Sequence, residues 1–222
     1  NGLTIVSTDV KDFSANYLQD KLEDVFDFPV VVSSQRKGDG CITFATDKNI
    51  PSEGYKLEVT EKGITITSSD KSGQYYGMQT LLQLFPAGIY SGDKLRIKEY
   101  PIDVLTIEDA PRFAYRGFML DVSRTFFDLD YLRNYIDWMS SHKLNRLHLH
   151  LTDDNGWRIE IKKYPELTRK GAWRGQNELL PPTYLSGAER YGGYYTQKEM
   201  KELIAYAQKR NVMIIPEFDL PG

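Results

Sequence analysis

The stretch Leu147-His148-Leu149-His150-Leu151-Thr152-Asp153-Asp154-Asn155-Gly156-Trp157-Arg158 limits what this chain can fold into more than any other. Leucine and histidine alternate with the two-residue period of a strand whose faces differ, and Asp153-Asp154-Asn155-Gly156 is turn chemistry that ends it. In a parallel α/β domain, ligands gather at the loops that follow the C-terminal ends of strands, so Asp153 and Asp154 stand where chemistry is usually done. The same residues also suit an Asx-rich turn that does no more than close a strand.

Two further strands are expected to flank it. Tyr115 to Asp121 reads as a strand, and Leu129, Leu132, Ile136 and Met139 recur at helical spacing between Asp128 and His142. Thr196-Gln197-Lys198-Glu199 is a capping box opening a helix with Met200, Leu203, Ile204 and Ala207 inward, followed by a strand from Val212 to Pro216. The order βαβαβ requires parallel strands. Each strand ends in polar residues: Asp121 with Ser123 and Arg124, Asp153 with Asp154, and Glu217 with Asp219. Neighbouring parallel strands would bring all three sets to one C-terminal edge.

Residues 1–110 read differently. Strands are expected at Leu3–Val6, Val30–Val32, Ile42–Phe44, Leu95–Lys98 and Ile102–Ile107, with a hairpin turning at Glu61-Lys62-Gly63. One helix would be capped by Ser14, and a second would run from Gly73 to Phe85 before Pro86. No acids, histidines or glycine loops concentrate here. The expectation is a small α+β domain over 1–110 and a second domain over 111–222, divided at Glu108-Asp109-Ala110-Pro111-Arg112.

The net charge of −3, without a basic block, argues against a nucleic-acid partner. No run of 18 apolar residues provides a membrane segment, and Asn1-Gly2-Leu3 opens no charged region leading into an apolar one. Cys41 is the only cysteine, so no intrachain disulfide can form; its apolar setting suggests a buried strand residue.

Leu120 to Phe126, His148 to Arg158 and Ile215 to Gly222 resemble, in order and spacing, the opening blocks of family 20 glycoside hydrolases, the β-N-acetylhexosaminidases. Tyr76 to Leu84 is similar to the helix of that family's non-catalytic N-terminal domain. The resemblance implies an α+β N-terminal domain followed by the first three β/α units of a (β/α)8 TIM barrel. It implies an exo-acting enzyme that removes terminal β-linked GlcNAc or GalNAc with retention and needs no metal or other cofactor. The substrate's own acetamido oxygen would be the nucleophile, so no enzyme carboxylate need attack. The implied partner is a glycan or glycoconjugate with a terminal N-acetylhexosamine, and the setting, from resemblance alone, periplasmic or secreted.

By the same resemblance Arg124 binds two adjacent hydroxyls of the terminal sugar, a task that suits the paired donors of a planar guanidinium. An ion pair with Asp121 is the competing role, and the two are compatible. Asp153 matches an aspartate coupled through a histidine, expected just after Gly222, to the acid/base glutamate, whose proton a buried negative charge would help retain. Glu217 and Asp219 are expected to support the sugar site. His148 and His150 share a strand face but lack an evident third ligand, so packing is favoured over a metal. Trp157, Trp173 and Tyr184 could stack on sugars, with Trp157 favoured to pack beneath its loop. The long segment from Ile159 to Tyr195 is expected to shape the entrance for the aglycone.

A TIM barrel takes eight strands and about 250 residues, whereas about 110 follow Pro111. The chain is therefore expected to be part of a larger enzyme, to be inactive alone, and to leave an association-prone parallel edge. The acid/base glutamate and its neighbouring aspartate would lie beyond residue 222. Two other functions fit the same residues: a non-catalytic sugar-binding protein, and a different TIM-barrel glycosidase with two enzyme carboxylates roughly 5 Å apart.

Overall fold

A computed structural model describes residues 2–91, 93–183 and 186–220, and the chain divides into two compact units, Asn1–Ala114 and Tyr115–Gly222. In the first, β1 (Leu3–Val6), β2 (Val30–Ser33), β3 (Cys41–Thr46), β4 (Tyr55–Thr60), β5 (Gly63–Ser68) and β6 (Leu105–Asp109) form one sheet in the order β2-β1-β3-β5-β4-β6. Helices α1 (Phe13–Val25) and α2 (Lys71–Gln83) bury Leu18, Leu22, Tyr75, Met78 and Leu81 with Ile5, Ile42, Leu57 and Ile66 of the sheet.

The cap of α1 is Asp12, not the expected Ser14, because the Asp12 carboxylate reaches the amides of Ser14 and Ala15 at 2.9 and 3.3 Å, while Ser14 itself is buried inside the first turn. Asp70 likewise caps α2, which starts at Lys71, two residues upstream of the expected Gly73. The extended run expected at Leu95 to Lys98 forms no strand; Arg96 takes a positive φ of 51°, and Ile97 makes a single bridge to Phe26. Ile102 to Val104 also stay outside β6, whose pairing with β4 ends at Val59 and Leu105. At the β4–β5 turn Gly63 has φ 134°, and a Cβ there would lie 2.5 Å from the Cys41 carbonyl oxygen. Only glycine fits. Cys41 is buried in β3.

The second unit is built on three strands. In chain order it contains β7 (Gly117–Asp121), α3 (Leu129–Ser141), β8 (Arg146–His150), the short pair β9 (Thr152–Asp153) and β10 (Gly156–Trp157), and α4 (Glu166–Arg169). There follow β11 (Trp173–Arg174), β12 (Tyr191–Gly192), α5 (Gln197–Lys209) and β13 (Met213–Glu217). Strands β7, β8 and β13 make a parallel sheet in the order β13-β8-β7, in which Asp121, His150 and Glu217 share one register position.

Alternation assigns the faces. Leu147, Leu149 and Leu151 are buried in one core with Leu132, Ile136 and Met139 of α3 and Leu203 and Ala207 of α5. His148 and His150 therefore point to the opposite face. The α5 capping box forms as expected, with Thr196 and Glu199 satisfying each other's backbone amides. Among the described residues no helix is long and apolar enough to cross a membrane.

Candidate active site

The site is assembled at the C-terminal edge of the three-stranded sheet. The Asp121 carboxylate accepts the amides of Ser123 and Arg124 at 3.0 and 2.9 Å, an Asx turn that folds the chain back as soon as β7 ends. That turn returns the Arg124 side chain to its own strand end, where Nη1 lies 3.1 Å from Asp121 Oδ2 and Nη2 lies 2.5 Å from Asp153 Oδ2. Both ion pairs form, and half of the Arg124 side chain stays exposed.

Asp153 sits on the β9–β10 hairpin, where Asp154 donates its amide to Oδ1 at 2.7 Å. His150 presents Nε2 to Asp153 at 2.9 Å and Nδ1 to Glu217 at 3.0 Å, and His148 Nε2 lies 2.6 Å from the same Glu217 oxygen. Thr152 Oγ1 fastens the third strand end by exchanging hydrogen bonds with the Asp219 backbone at 3.1 and 2.8 Å. A network thus runs from Asp121 through Arg124, Asp153, His150 and Glu217 to His148.

Burial opposes charge on His150, but hydrogen bonds to Glu217 and Asp153, with Asp121 nearby, carry its pKa above the ordinary value. The hydrogen bond from His150 is the main force holding Glu217 below the usual carboxylate range. Burial would raise Asp153, yet the Asp154 amide, His150 and Arg124 outweigh it and the net direction is down. A carboxylate at each ring nitrogen is what favours the charged imidazole. Arg124 Nη1 also lies 2.8 Å from His150 Nε2, so the guanidinium and the imidazole converge on Asp153.

The structure supplies the third metal-competent group that spacing did not reveal: His150, Glu217 and Asp219 bring ligand atoms within 4.8 Å of one another. Two of the three are already engaged with one another and with their neighbours, His150 with Asp153 and Glu217, and Glu217 with both histidines. The donor set fits a charge network better than a metal centre.

Of the aromatic candidates, Trp157 packs against the core of the unit and donates Nε1 to the Ile159 carbonyl at 2.8 Å. Arg190 covers the Trp173 ring at 3.7 Å, and Tyr184 lies outside the described residues. A cavity of about 360 Å³ lined by Phe126, Asp128, Arg133 and Glu199 contains none of the strand-end acids.

Sequence reading took His150 for a packing residue, although its alternation with leucine placed it on the acids' face, and it assigned no role to Arg158 or Arg174. Both arginines are fully buried. Nothing in a single sequence distinguishes a buried arginine from a solvated one.

Glycosyl hydrolase family 20 matches both parts of the chain, its domain 2 over residues 1–110 and its catalytic domain over residues 113–222. The chain belongs to this family. It is 43% identical over 185 residues to a β-hexosaminidase of Vibrio furnissii, covering 83% of this chain and 29% of that protein. With a β-hexosaminidase of Porphyromonas gingivalis the identity is 38% over 213 residues, covering 94% of this chain and 26% of that protein. The chain thus spans less than a third of the length of these family members.

Among solved structures, the family 20 exo-β-N-acetylglucosaminidase of Vibrio harveyi in complex with N-acetylglucosamine matches all of this chain and 33% of its own, with a TM-score of 0.83 at 37% identity. A Streptomyces plicatus β-hexosaminidase in complex with GlcNAc matches with a TM-score of 0.83 at 34% identity, over all of this chain and 42% of its own. The chain therefore carries an N-terminal domain and the start of the family's catalytic domain.

Proposed function

We propose that this chain is the sugar-recognising part of an exo-acting β-N-acetylhexosaminidase, in which Tyr115 to Gly222 supply the first three β/α units of an eight-stranded barrel and residues 1–110 are non-catalytic. The observation that carries the reading is the placement of Arg124: a half-exposed guanidinium at the C-terminal strand edge, fixed between Asp121 and Asp153. A fixed fork of N–H donors suits vicinal hydroxyls of a terminal pyranose, and a group already immobilised loses little entropy on binding.

The acid is a separate matter. A general acid for a glycosidic oxygen needs a proton at working pH, hence a raised carboxyl pKa. Asp153 and Glu217 are shifted the other way. Asp153 is suited to hold positive charge and orient its neighbours, with Glu217 and Asp219 supporting from the third strand, while the acid/base glutamate and its neighbouring aspartate come from residues outside 1–222. The substrate's acetamido oxygen then attacks the anomeric carbon and no enzyme nucleophile is needed.

Hydrolysis of an aryl β-N-acetylglucosaminide by the protein expressed from its complete coding sequence tests this, with the plain β-glucoside as control. Turnover of the first alone is expected. Arg124→Ala should raise KM about tenfold or more, and the 222-residue chain should show no turnover. Equal turnover of the two glycosides would overturn the reading in favour of a glycosidase with its own nucleophile.

A further inference from the structure

Five of the six backbone carbonyls from Val122 to Phe127 accept hydrogen bonds from side chains that lie 30 to 70 residues later. Arg158 donates Nε to Val122 at 3.0 Å and Nη2 to Ser123 at 2.7 Å. Arg174 donates Nη2 to the carbonyl of Arg124 itself at 2.7 Å. Tyr191 Oη accepts the Phe126 amide at 2.9 Å and makes a longer bond, 3.4 Å, to the Phe126 carbonyl; Tyr195 Oη donates to Phe127 at 2.6 Å. The Arg174 guanidinium lies 4.8 Å from the Tyr191 ring centroid, so the two grips are coupled.

The expense of this arrangement is informative. Arg158 and Arg174 are 0% and 1% exposed; Asp121 acts on Arg158 through space, and among the described residues no ion pair within 4 Å is formed by either. Burial, with each other's charge added in the case of Arg158, lowers both pKa values, that of Arg158 to about 10. Two buried, like-charged guanidiniums are a poor way to stabilise a loop. They are a good way to immobilise one, because planar forks fix several carbonyls at defined angles.

We propose that Arg174 and Tyr191 are positioning residues for Arg124, and that the segment between Ile159 and Tyr195 is a clamp on the loop that carries it. The segment sets the Arg124 backbone so that its guanidinium meets the sugar without rearrangement. This rests on the reading of Arg124 as a sugar-binding residue.

The test is a double-mutant cycle on the protein expressed from its complete coding sequence, with an aryl β-N-acetylglucosaminide as substrate. Tyr191→Phe keeps the ring and its contact with Arg174 and removes only the hydroxyl, so it should fold even where Arg174→Lys does not. Either variant should raise KM about three- to tenfold with kcat little changed, the signature of a binding group lost equally from ground and transition states. In an Arg124→Ala background the same substitution should raise KM no further. A merely structural role would lower the melting temperature and leave KM alone, and that result overturns the proposal. Multiplying effects in the double variant also overturn it, because the clamp would then act through something other than Arg124. If Arg124→Ala leaves KM unchanged, the sugar-binding reading fails and the positioning role with it. If Arg124→Ala raises KM while the folded clamp variants match wild type, only the clamp fails.

Discussion

Arg158→Met should destabilise the second unit severely without abolishing its fold. The guanidinium donates to the carbonyls of Val122, Ala172, Gly193 and Ser123 at 3.0, 2.6, 3.1 and 2.7 Å, with a longer contact to Asn155 at 3.4 Å. Methionine fills much of the same volume but donates nothing, so the carbonyls of Val122, Ser123 and Gly193 lose their side-chain donor, while that of Ala172 keeps the Gly193 amide at 3.1 Å. An unsatisfied buried acceptor costs about 1–3 kcal/mol, and the lower part of that range applies where a loop can shift toward water. Three carbonyls at about 1–2 kcal/mol each come to about 3–6 kcal/mol. Removing a buried charge returns some of its desolvation cost, which favours the lower end of that span. A unit of this size is stable by only about 5–15 kcal/mol.

The assay is built into the sequence, because all three tryptophans, Trp138, Trp157 and Trp173, lie in the second unit. Urea unfolding of the 222-residue chain followed by tryptophan emission therefore reports that unit. At an m value of about 2 kcal/mol/M, a loss of about 4 kcal/mol moves the midpoint down by about 2 M. Arg158→Lys, which keeps the charge and up to three donors, should fall between. A shift below about 0.5 M for the methionine variant would refute the assignment of Arg158 as the hub that holds these loops.

Stability of the second unit should peak between roughly pH 5 and 6.5. His150, whose folded pKa is raised, stabilises below its unfolded value and loses that contribution as pH climbs through the folded one; Asp153 and Glu217, lowered, stabilise above the ordinary carboxylate pKa and lose it as pH falls. His150→Gln should flatten the alkaline limb of urea midpoints measured across this range, and an unchanged limb would assign the dependence elsewhere. Gly63→Ala should destabilise the first unit by about 2–4 kcal/mol, since a positive φ and a backbone oxygen 2.5 Å from the new Cβ both oppose it. Faster amide exchange in β3 and β5 is the readout.

What the sequence made legible follows from what alternation and capping can encode. The Leu-His alternation of β8 and the Thr196–Glu199 box are local patterns, and the structure reproduces both. Strand pairing at Leu95 to Lys98 was not legible, because a pattern of apolar residues does not report a missing partner or a positive φ at Arg96. The acids at the strand ends could be seen in the sequence, but their connections could not. His150 looked like a packing residue until its two nitrogens were seen to face Asp153 and Glu217. The grip on the Arg124 loop was the least legible of all, since Arg158, Arg174, Tyr191 and Tyr195 share no period and meet the loop only through folding of the Ile159 to Tyr195 segment.

That segment gives the charge network its meaning. An arginine on a free loop would spend much of a sugar's binding energy on being ordered, since an immobilised long side chain costs about 0.5–1.5 kcal/mol before any backbone is fixed. Here the side chain is ordered by Asp121 and Asp153, and the backbone by Arg174 and its neighbours. The two carboxylates bring a further consequence. They neutralise the guanidinium, so its attraction for an anionic sugar is muted while its N–H directions remain fixed. If Arg124 binds the sugar as proposed, a site built this way selects a neutral polyol by geometry and gains little from charge. Binding of an anionic sugar such as a hexuronate should accordingly weaken less than twofold between 50 and 500 mM salt, whereas a steep salt dependence would mean that Arg124 meets its ligand as a bare charge.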